Sequence, residues 1–201
     1  MPDLTLQAIF FRLVALALVA ILQGATVAAV AVALADRRPP HDGRLTLWPA
    51  GHVDLLGAIG FVLFGLGWAK PVRIDPEALR AGRAALVLPA LAASSVLAAA
   101  AFALAALASP ALTVLPLATG LWAAAFLRVA AALCLANAVF SLLPVPPLPG
   151  AHLLRSAGMR LPRAAAQGGG VALLVLLAVG FVSGVLGPAI GRLVAVLGPG
   201  I

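Results

Sequence analysis

Apolar runs longer than a globular core requires occupy most of the chain and decide what it can fold into. Residues 4–35, 84–107, 111–143 and 171–197 are nearly unbroken stretches of aliphatic residues, alanine and glycine. Roughly 20 apolar helical residues cross the hydrocarbon core of a bilayer. Because 64% of the 201 residues are hydrophobic and only 9% are charged, the chain cannot cover a water-facing surface. A soluble enzyme and a nucleic-acid-binding domain are therefore excluded.

These runs predict an all-α polytopic membrane protein with four to six transmembrane helices in a single domain, 1–201. Polar segments containing proline and glycine interrupt the runs. In the first of them, Arg44 to Trp48 alternates polar and apolar residues, which predicts a short β-like segment. Residues 144–150 (PVPPLPG) predict a rigid Pro-rich loop, and the last run predicts a Gly-rich transmembrane helix over 171–197.

Charge in this sequence is scarce and unevenly placed. Thirteen Lys and Arg residues outnumber six Asp and Glu residues, a formal net charge of +7. The basic excess lies in three short segments between apolar runs, with three, four and three Lys plus Arg. This pattern is typical of charge near membrane ends and favours membrane lipid over nucleic acid as a partner. The nearly equal counts select no orientation.

Acidic residues are confined to the start of the chain. No carboxylate side chain follows Glu77, and the single cysteine, Cys134, excludes an internal disulfide and a multi-cysteine metal site. Arg128 lies deep in the 111–143 run. If that run forms two helices, Arg128 lies near an interface and needs no partner. If the run forms one helix, Arg128 needs an acceptor, which must come from the first 77 residues or from another protein.

Four glycines mark the last apolar run. Gly180, Gly184, Gly187 and Gly191 are spaced by four, three and four residues and therefore share one helical face. Small residues in this arrangement let two membrane helices approach closely. They predict a helix-packing surface, either within the protein's own bundle or toward a partner such as a second copy of the chain.

Three sequence blocks occur in a characteristic order: GRLTLWPAGHVDLLG at 43–57, GWAKPVRIDPEALR at 67–80 and NAVFSLLPVPPLPGAHLL at 137–154. Together these blocks resemble sequences from the compact bacterial branch of the site-2 protease family. Members of this family are intramembrane zinc metalloproteases. Members of that family typically read G-R-L-T-L-N-P, G-W-A-K-P-V-P-V-N-P and N-L-x-P-I-P-P-L-D-G. The resemblance implies a site-2-protease-like core over about residues 8–160 and a location in the bacterial cytoplasmic (inner) membrane.

The resemblance also locates the family's reactive groups in this sequence. Family members bind zinc through the two histidines of H-E-x-x-H and the aspartate of L-D-G, and the glutamate activates water. These positions fall at Gln23, Gly24, Val27 and Pro149. None of the four is a histidine or an acid. The resemblance therefore implies a degenerate member, a pseudoprotease with no catalytic residues and no zinc cofactor.

The rest of the family's scaffold is retained. In the family, the G-R-L-T-L segment is thought to pair with an unwound substrate strand by β-addition. The resemblance implies that this chain binds a transmembrane segment of another membrane protein, as regulator, assembly factor or complex subunit. The implied partner-binding residues are Arg44, Leu45, Thr46, Leu47, Trp68, Lys70, Pro71, Asn137, Pro144, Pro146 and Pro147.

Two other functions stay open from the sequence. An active zinc metalloprotease would need displaced ligands, for which His52, Asp54 and His152 are the candidates. A small transporter or channel component would use ionisable residues within the membrane, and only Arg12 and Arg128 lie well inside apolar runs.

Overall fold

The computed structural model of the protein describes residues 5–159 and 162–198, and over these ranges the secondary structure is helical without strands. The helices are α1 (Leu6–Ala33), α2 (Arg38–His41), α3 (Leu55–Phe64), α4 (Val87–Val114), α5 (Leu117–Phe140), α6 (Ala151–Ser156), α7 (Arg163–Ala178) and α8 (Phe181–Ala195). Short 3₁₀ turns occur at Pro49–Gly51 and Arg83–Leu86.

Three of the described helices are long and apolar enough to cross a membrane. They are α1, α4 with the 3₁₀ turn before it, and α5. Helix α3 and the apolar parts of α7 and α8 are shorter, between 10 and 17 residues. The prediction of an all-helical protein with several membrane-crossing segments is thus confirmed at the level of three long helices.

Close packing of small residues holds the three long helices together. Helices α1 and α4 run antiparallel, because Ala31 near the end of α1 packs in a cluster with Leu86 before α4. A second cluster joins α1, α3, α4 and α5 and consists of Ala15, Leu16, Val19, Phe61, Leu97, Ala101, Ala130, Cys134, Leu135 and Ala138. In lipid, where apolar burial drives association weakly, alanine at such contacts allows the close approach that dispersion forces need.

The apolar run 111–143 divides at Leu115–Pro116, the link between α4 and α5. Pro116 has φ −53° and ψ 145° and precedes the first turn of α5, where a missing N–H costs nothing. Arg128 consequently lies in the middle of one helix of 24 residues. The run is thus divided between two helices, but the position expected for Arg128 in that case is wrong, because it lies far from either end of α5.

The single helix expected over 171–197 is wrong, because the structure contains two helices there. Helix α7 ends at Ala178, and Gly180 adopts the left-handed conformation with φ +74° before α8 begins at Phe181. Glycine takes this conformation without the steric cost that a side chain would impose, and it commonly ends a helix. Gly180 therefore terminates α7 and no longer belongs to a continuous stripe with the glycines of α8.

The segment Arg44–Trp48, expected to be β-like, contains a bend at Leu45 and pairs with no strand within the described residues. An isolated antiparallel bridge occurs nearby, between Val53 and Ala69. The Thr46 carbonyl oxygen instead accepts a hydrogen bond from the His52 side chain. One backbone group of the segment is therefore already paired.

One end of the bundle collects the polar segments. Helix α1 ends there, α4 begins there and α5 returns to it, so the segments 34–54, 65–86 and 141–159 meet at this end. The opposite end is formed by the α4–α5 link, which carries no charged side chain. We call the first of these the polar end.

Candidate functional site

A large cavity opens at the polar end and reaches down between α1 and the loops. Its volume is about 1130 Å³. The wall from α1 is formed by Gln23, Gly24 and Val27, and the Pro-rich loop contributes Pro149. All four positions that the resemblance equates with reactive groups therefore line one cavity. The wall also includes other residues expected to bind a partner, namely Arg44, Trp68, Lys70, Pro71, Pro146 and Pro147.

Gln23 is a buried polar residue in the middle of an apolar helix. Its side chain is 1% exposed, and its Oε1 accepts a hydrogen bond of 2.8 Å from the Ala69 backbone N–H. Within the described residues, its Nε2 has no hydrogen-bond partner. Gln23 thus anchors the 65–72 loop to α1 and retains one free donor at the cavity wall.

His52 packs directly against Gly24. A Cβ atom placed on Gly24 would overlap Nδ1 of the imidazole and lie 3.0 Å from its Cγ. His52 is fully buried, and its Nε2 lies 2.7 Å from the carbonyl oxygen of Thr46. A proton on Nε2 makes this a hydrogen bond and leaves Nδ1 as an acceptor, which has no partner within the described residues.

Asp54 holds the loop that follows α3. Its Oδ1 accepts hydrogen bonds from the Gly57 N–H, as the N-cap of α3, and from Trp68 Nε1, both at 3.0 Å. Capping of this kind contributes about 1 kcal/mol. The Trp68 ring is thereby fixed as part of the cavity wall.

Arg44 ties the 44–48 segment to the neighbouring loops. Its guanidinium donates to the Gly51 carbonyl oxygen at 2.6 Å and to the Pro71 carbonyl oxygen at 3.0 Å. Burial lowers the pKa of Arg44, while the nearby Asp42 carboxylate raises it. In contrast, Leu45 and Leu47 are exposed. Within the described residues no backbone hydrogen bond engages the N–H groups of either leucine.

Asn137 is fully buried and links α5 to the turn after α3. Its Oδ1 accepts from the Gly67 N–H at 3.0 Å, and its Nδ2 donates to the carbonyl oxygens of Gly65 and Leu133. Three satisfied hydrogen bonds make this an anchoring residue rather than one free to contact a partner. Asn137 is absent from the cavity wall.

The Pro-rich loop leads into α6, which brings His152 and Arg155 to the cavity. His152 is buried, and Arg155 donates to its Nδ1 at 3.4 Å and to the Ile74 carbonyl oxygen at 3.1 Å. Burial and the Arg155 charge lower the pKa of His152 to about 4, so the imidazole is neutral at pH 7. The role of Arg155 was missed from the sequence, although its spacing of three residues from His152 was the available signal.

Metal-binding groups do not converge in this site. Among the described residues, no group of three or more His, Cys, Asp and Glu side chains is placed to hold a metal ion. The structure therefore does not bring His52, Asp54 and His152 together as ligands. His52 and Asp54 are engaged with Thr46 and Trp68 instead.

The glycine face of α8 lies outside the cavity. Positions for Cβ atoms on Gly184, Gly187 and Gly191 have no heavy atom within 4 Å among the described residues. These three glycines therefore do not pack against the protein's own bundle there, and their use by a partner stays a prediction.

Comparison with known proteins gives one similarity. A stretch of 63 residues is 36% identical to the Bacillus subtilis (strain 168) protein named "Putative zinc metalloprotease YwhC". The match covers 31% of this chain and 29% of that protein, so it spans less than a third of the relative's length. No protein-family model matches the chain. No solved structure matches it either.

Proposed function

We propose that this chain is a catalytically inactive, site-2-protease-like membrane protein that binds an unwound membrane segment of another protein in the cavity at its polar end. The observation that carries the proposal is the convergence of Gln23, Gly24, Val27 and Pro149 on one cavity. Gln23, Gly24 and Val27 share helix α1, whereas Pro149 lies in the distant Pro-rich loop, and the family resemblance predicts that all four surround one reactive centre. The limited similarity to the Bacillus subtilis protein supports only the protease-like part of this proposal.

The side chains at these four positions do not fit a zinc ion. Zinc sites in proteins use imidazole, thiolate and carboxylate donors, whereas these four positions offer an amide, a glycine, an isopropyl group and a proline ring. The space beside Gly24 is filled by His52, whose Nε2 is already engaged by Thr46. No hydrolytic step follows from this chemistry, and binding is the function that the cavity supports.

The segment Leu45–Leu47 is the surface that we assign to the partner. Its apolar side chains are exposed, with Leu47 at 76%, and its backbone lies outside the helices. A partner strand would pair with the free N–H groups and place apolar side chains on Leu45 and Leu47. The adjacent cavity, with Trp68 and the Pro-rich loop in its wall, would receive the side chains that point inward.

The same proposal includes a site-2-protease-like core and a fixed orientation. In it, α3, α7 and α8 supply the shorter elements that complete four to six membrane segments around the three long helices. The charged segments with Arg37, Arg38, Lys70 and Arg73 all belong to the polar end. Cytoplasmic loops are enriched in Lys and Arg, so the polar end faces the cytoplasm of a bacterial inner membrane.

Site-specific photocrosslinking in native membranes tests the proposal. A photoreactive residue in place of Leu47 should capture a membrane protein through a hydrophobic segment. The matched control is Leu117, which is equally exposed at 76% but lies at the opposite end of the bundle. A defined adduct from position 47 and none from 117 is the expected result. Equal labelling from both positions would contradict the proposed binding surface.

Metal analysis of the purified protein separates the binding role from proteolysis. We expect well under one zinc ion per chain and no cleavage of a membrane-spanning peptide. Stoichiometric zinc together with peptide cleavage would overturn the inactive assignment and favour displaced ligands.

A further inference from the structure

Arg128 is a charged residue midway along helix α5. It is the twelfth of the 24 residues of the helix Leu117–Phe140, so roughly 16 Å of helix separates it from either end. Arginines near helix ends extend toward the headgroups, whereas those at mid-depth almost always face a polar partner. Arg128 is half-buried, which leaves part of its side chain on the outer surface of the bundle.

Arg12 is another arginine within a long apolar helix, and its guanidinium has hydrogen-bond acceptors in this protein. Its guanidinium donates to the carbonyl oxygens of Val62 and Leu63, at 2.5 and 3.1 Å. These carbonyls lie in the last turn of α3, where backbone acceptors lack helical donors. No equivalent arrangement serves Arg128, because no hydrogen bond or ion pair reaches it within residues 5–159 and 162–198.

The acids of the described residues are committed elsewhere. Asp36 accepts from two backbone N–H groups, Asp54 from Gly57 and Trp68, and Asp75 pairs with Arg38. Asp42 and Glu77 belong to the polar end. The apolar runs of the chain contain no carboxylate, so a second copy of the protein would present none at mid-depth either.

The surroundings of Arg128 are suited to a close helix contact. Leu121, Ala125 and Ala132 share its helical face, with spacings of four, three and four residues. Leu121 is 55% exposed, and both alanines are half-buried. Small residues one turn to either side of a polar group allow a second helix to approach near enough for a hydrogen bond. None of these residues lines the cavity.

We propose that this face of α5, formed by Leu121, Ala125, Arg128 and Ala132, docks a transmembrane helix of a different protein that carries a carboxylate near the centre of the bilayer. Charge complementarity determines the partner's chemistry, since an unpaired guanidinium in hydrocarbon is costly. The absence of acids from this protein's own apolar runs excludes a second copy as the source. The inference is independent of the function proposed for the cavity.

Energy transfer in vesicles tests the inference with a defined probe. The labelled full-length protein is reconstituted in phosphatidylcholine vesicles and titrated with a synthetic leucine–alanine membrane helix that has one central glutamate. An otherwise identical peptide with glutamine is the probe control. We expect the glutamate peptide to associate about tenfold more tightly than the glutamine peptide. Equal association of both peptides with the wild-type protein would overturn the proposal, and this comparison requires no protein variant.

Variants then identify the residue responsible. Arg128→Leu should abolish the preference for glutamate, while Arg128→Lys, which keeps the charge, should retain part of it. The matched control is Arg192→Leu, because Arg192 is an exposed arginine of α8, and this change should leave the preference intact. Loss of the preference in Arg192→Leu to the same extent, or its persistence in a folded Arg128→Leu protein, would contradict a docking site at Arg128.

Discussion

The imidazole of His52 lies against the backbone of Gly24 and fills the space that any side chain at position 24 would need. The contact joins the centre of α1 to the loop before α3. His52 thus occupies the space beside one of the four positions that carry no zinc-binding side chain. A glutamate introduced at position 24 would have to displace a fully buried ring.

Gly24→Ala is therefore expected to destabilise the protein. Overpacking a tight contact costs about 1–3 kcal/mol, and the 0.5–1 kcal/mol that alanine gains over glycine in a helix offsets only part of it. Thermal unfolding in detergent measures the change. Gly184→Ala is the matched control, because it has the same helical gain and open space around its Cβ position. A Gly24→Ala protein as stable as the Gly184→Ala protein would show that His52 does not constrain this position.

Gln23→Leu should release the 65–72 loop from α1. The substitution leaves the buried Ala69 N–H without its acceptor, which costs about 1–3 kcal/mol. Hydrogen exchange should accelerate at the Ala69 amide, and the midpoint of unfolding should fall. Gln7→Leu is the matched control, since Gln7 is exposed near the start of α1. Unchanged protection of Ala69 in the Gln23→Leu protein would argue against the anchoring role.

Asn137→Ala should loosen the turn after α3 by a different route. The Gly67 N–H and the Gly65 carbonyl oxygen both lose their partner, so we expect a loss of about 2–4 kcal/mol. The Gly67 amide should exchange faster in this variant while the Ala69 amide stays protected. Gln23→Leu should produce the reverse pattern. Loss of protection at both amides in either variant would indicate a single cooperative loop instead of two independent anchors.

His152 should make the folded state sensitive to mild acid. Its pKa is lowered to about 4 from an ordinary value of 6.5, so the unfolded chain binds a proton more readily than the folded one. The stability is fully present above pH 6.5 and is lost progressively as the pH falls from 6.5 to 4, by up to about 3 kcal/mol. Denaturation midpoints measured across this range should fall with the pH, and His152→Gln should flatten the slope.

The control for the acid response is His41→Gln, because His41 is exposed at the end of α2. This variant should keep the wild-type slope between pH 6.5 and 4. A slope that disappears in His41→Gln and persists in His152→Gln would assign the titration to the wrong histidine and refute the prediction.

Much of the membrane architecture follows from local sequence. The length of the apolar runs predicts α1, α4 and α5. A single segment in lipid forms a helix because only a helix pairs all backbone N–H and C=O groups within the segment itself. The break at Gly180 was missed, since glycine is frequent inside membrane helices and its presence alone does not indicate a helix end. The predicted strand at Arg44–Trp48 failed because alternation of side chains does not supply a pairing partner.

Within the site, residue types were predictable and their contacts were not. The sequence by itself determined that the composition suits a lipid bilayer and not water. It also determined the absence of acids after Glu77 and the lack of zinc donors at positions 23, 24, 27 and 149. Only the tertiary structure decided that these positions share one cavity, that His52 fills the space at Gly24 and that Arg128 lacks an acceptor among the described residues where Arg12 has two. The physical reason is the separation along the chain of the residues that interact. Apolar burial and helix formation depend on residues close in sequence, whereas the hydrogen bond between Gln23 and Ala69 depends on where two distant segments meet.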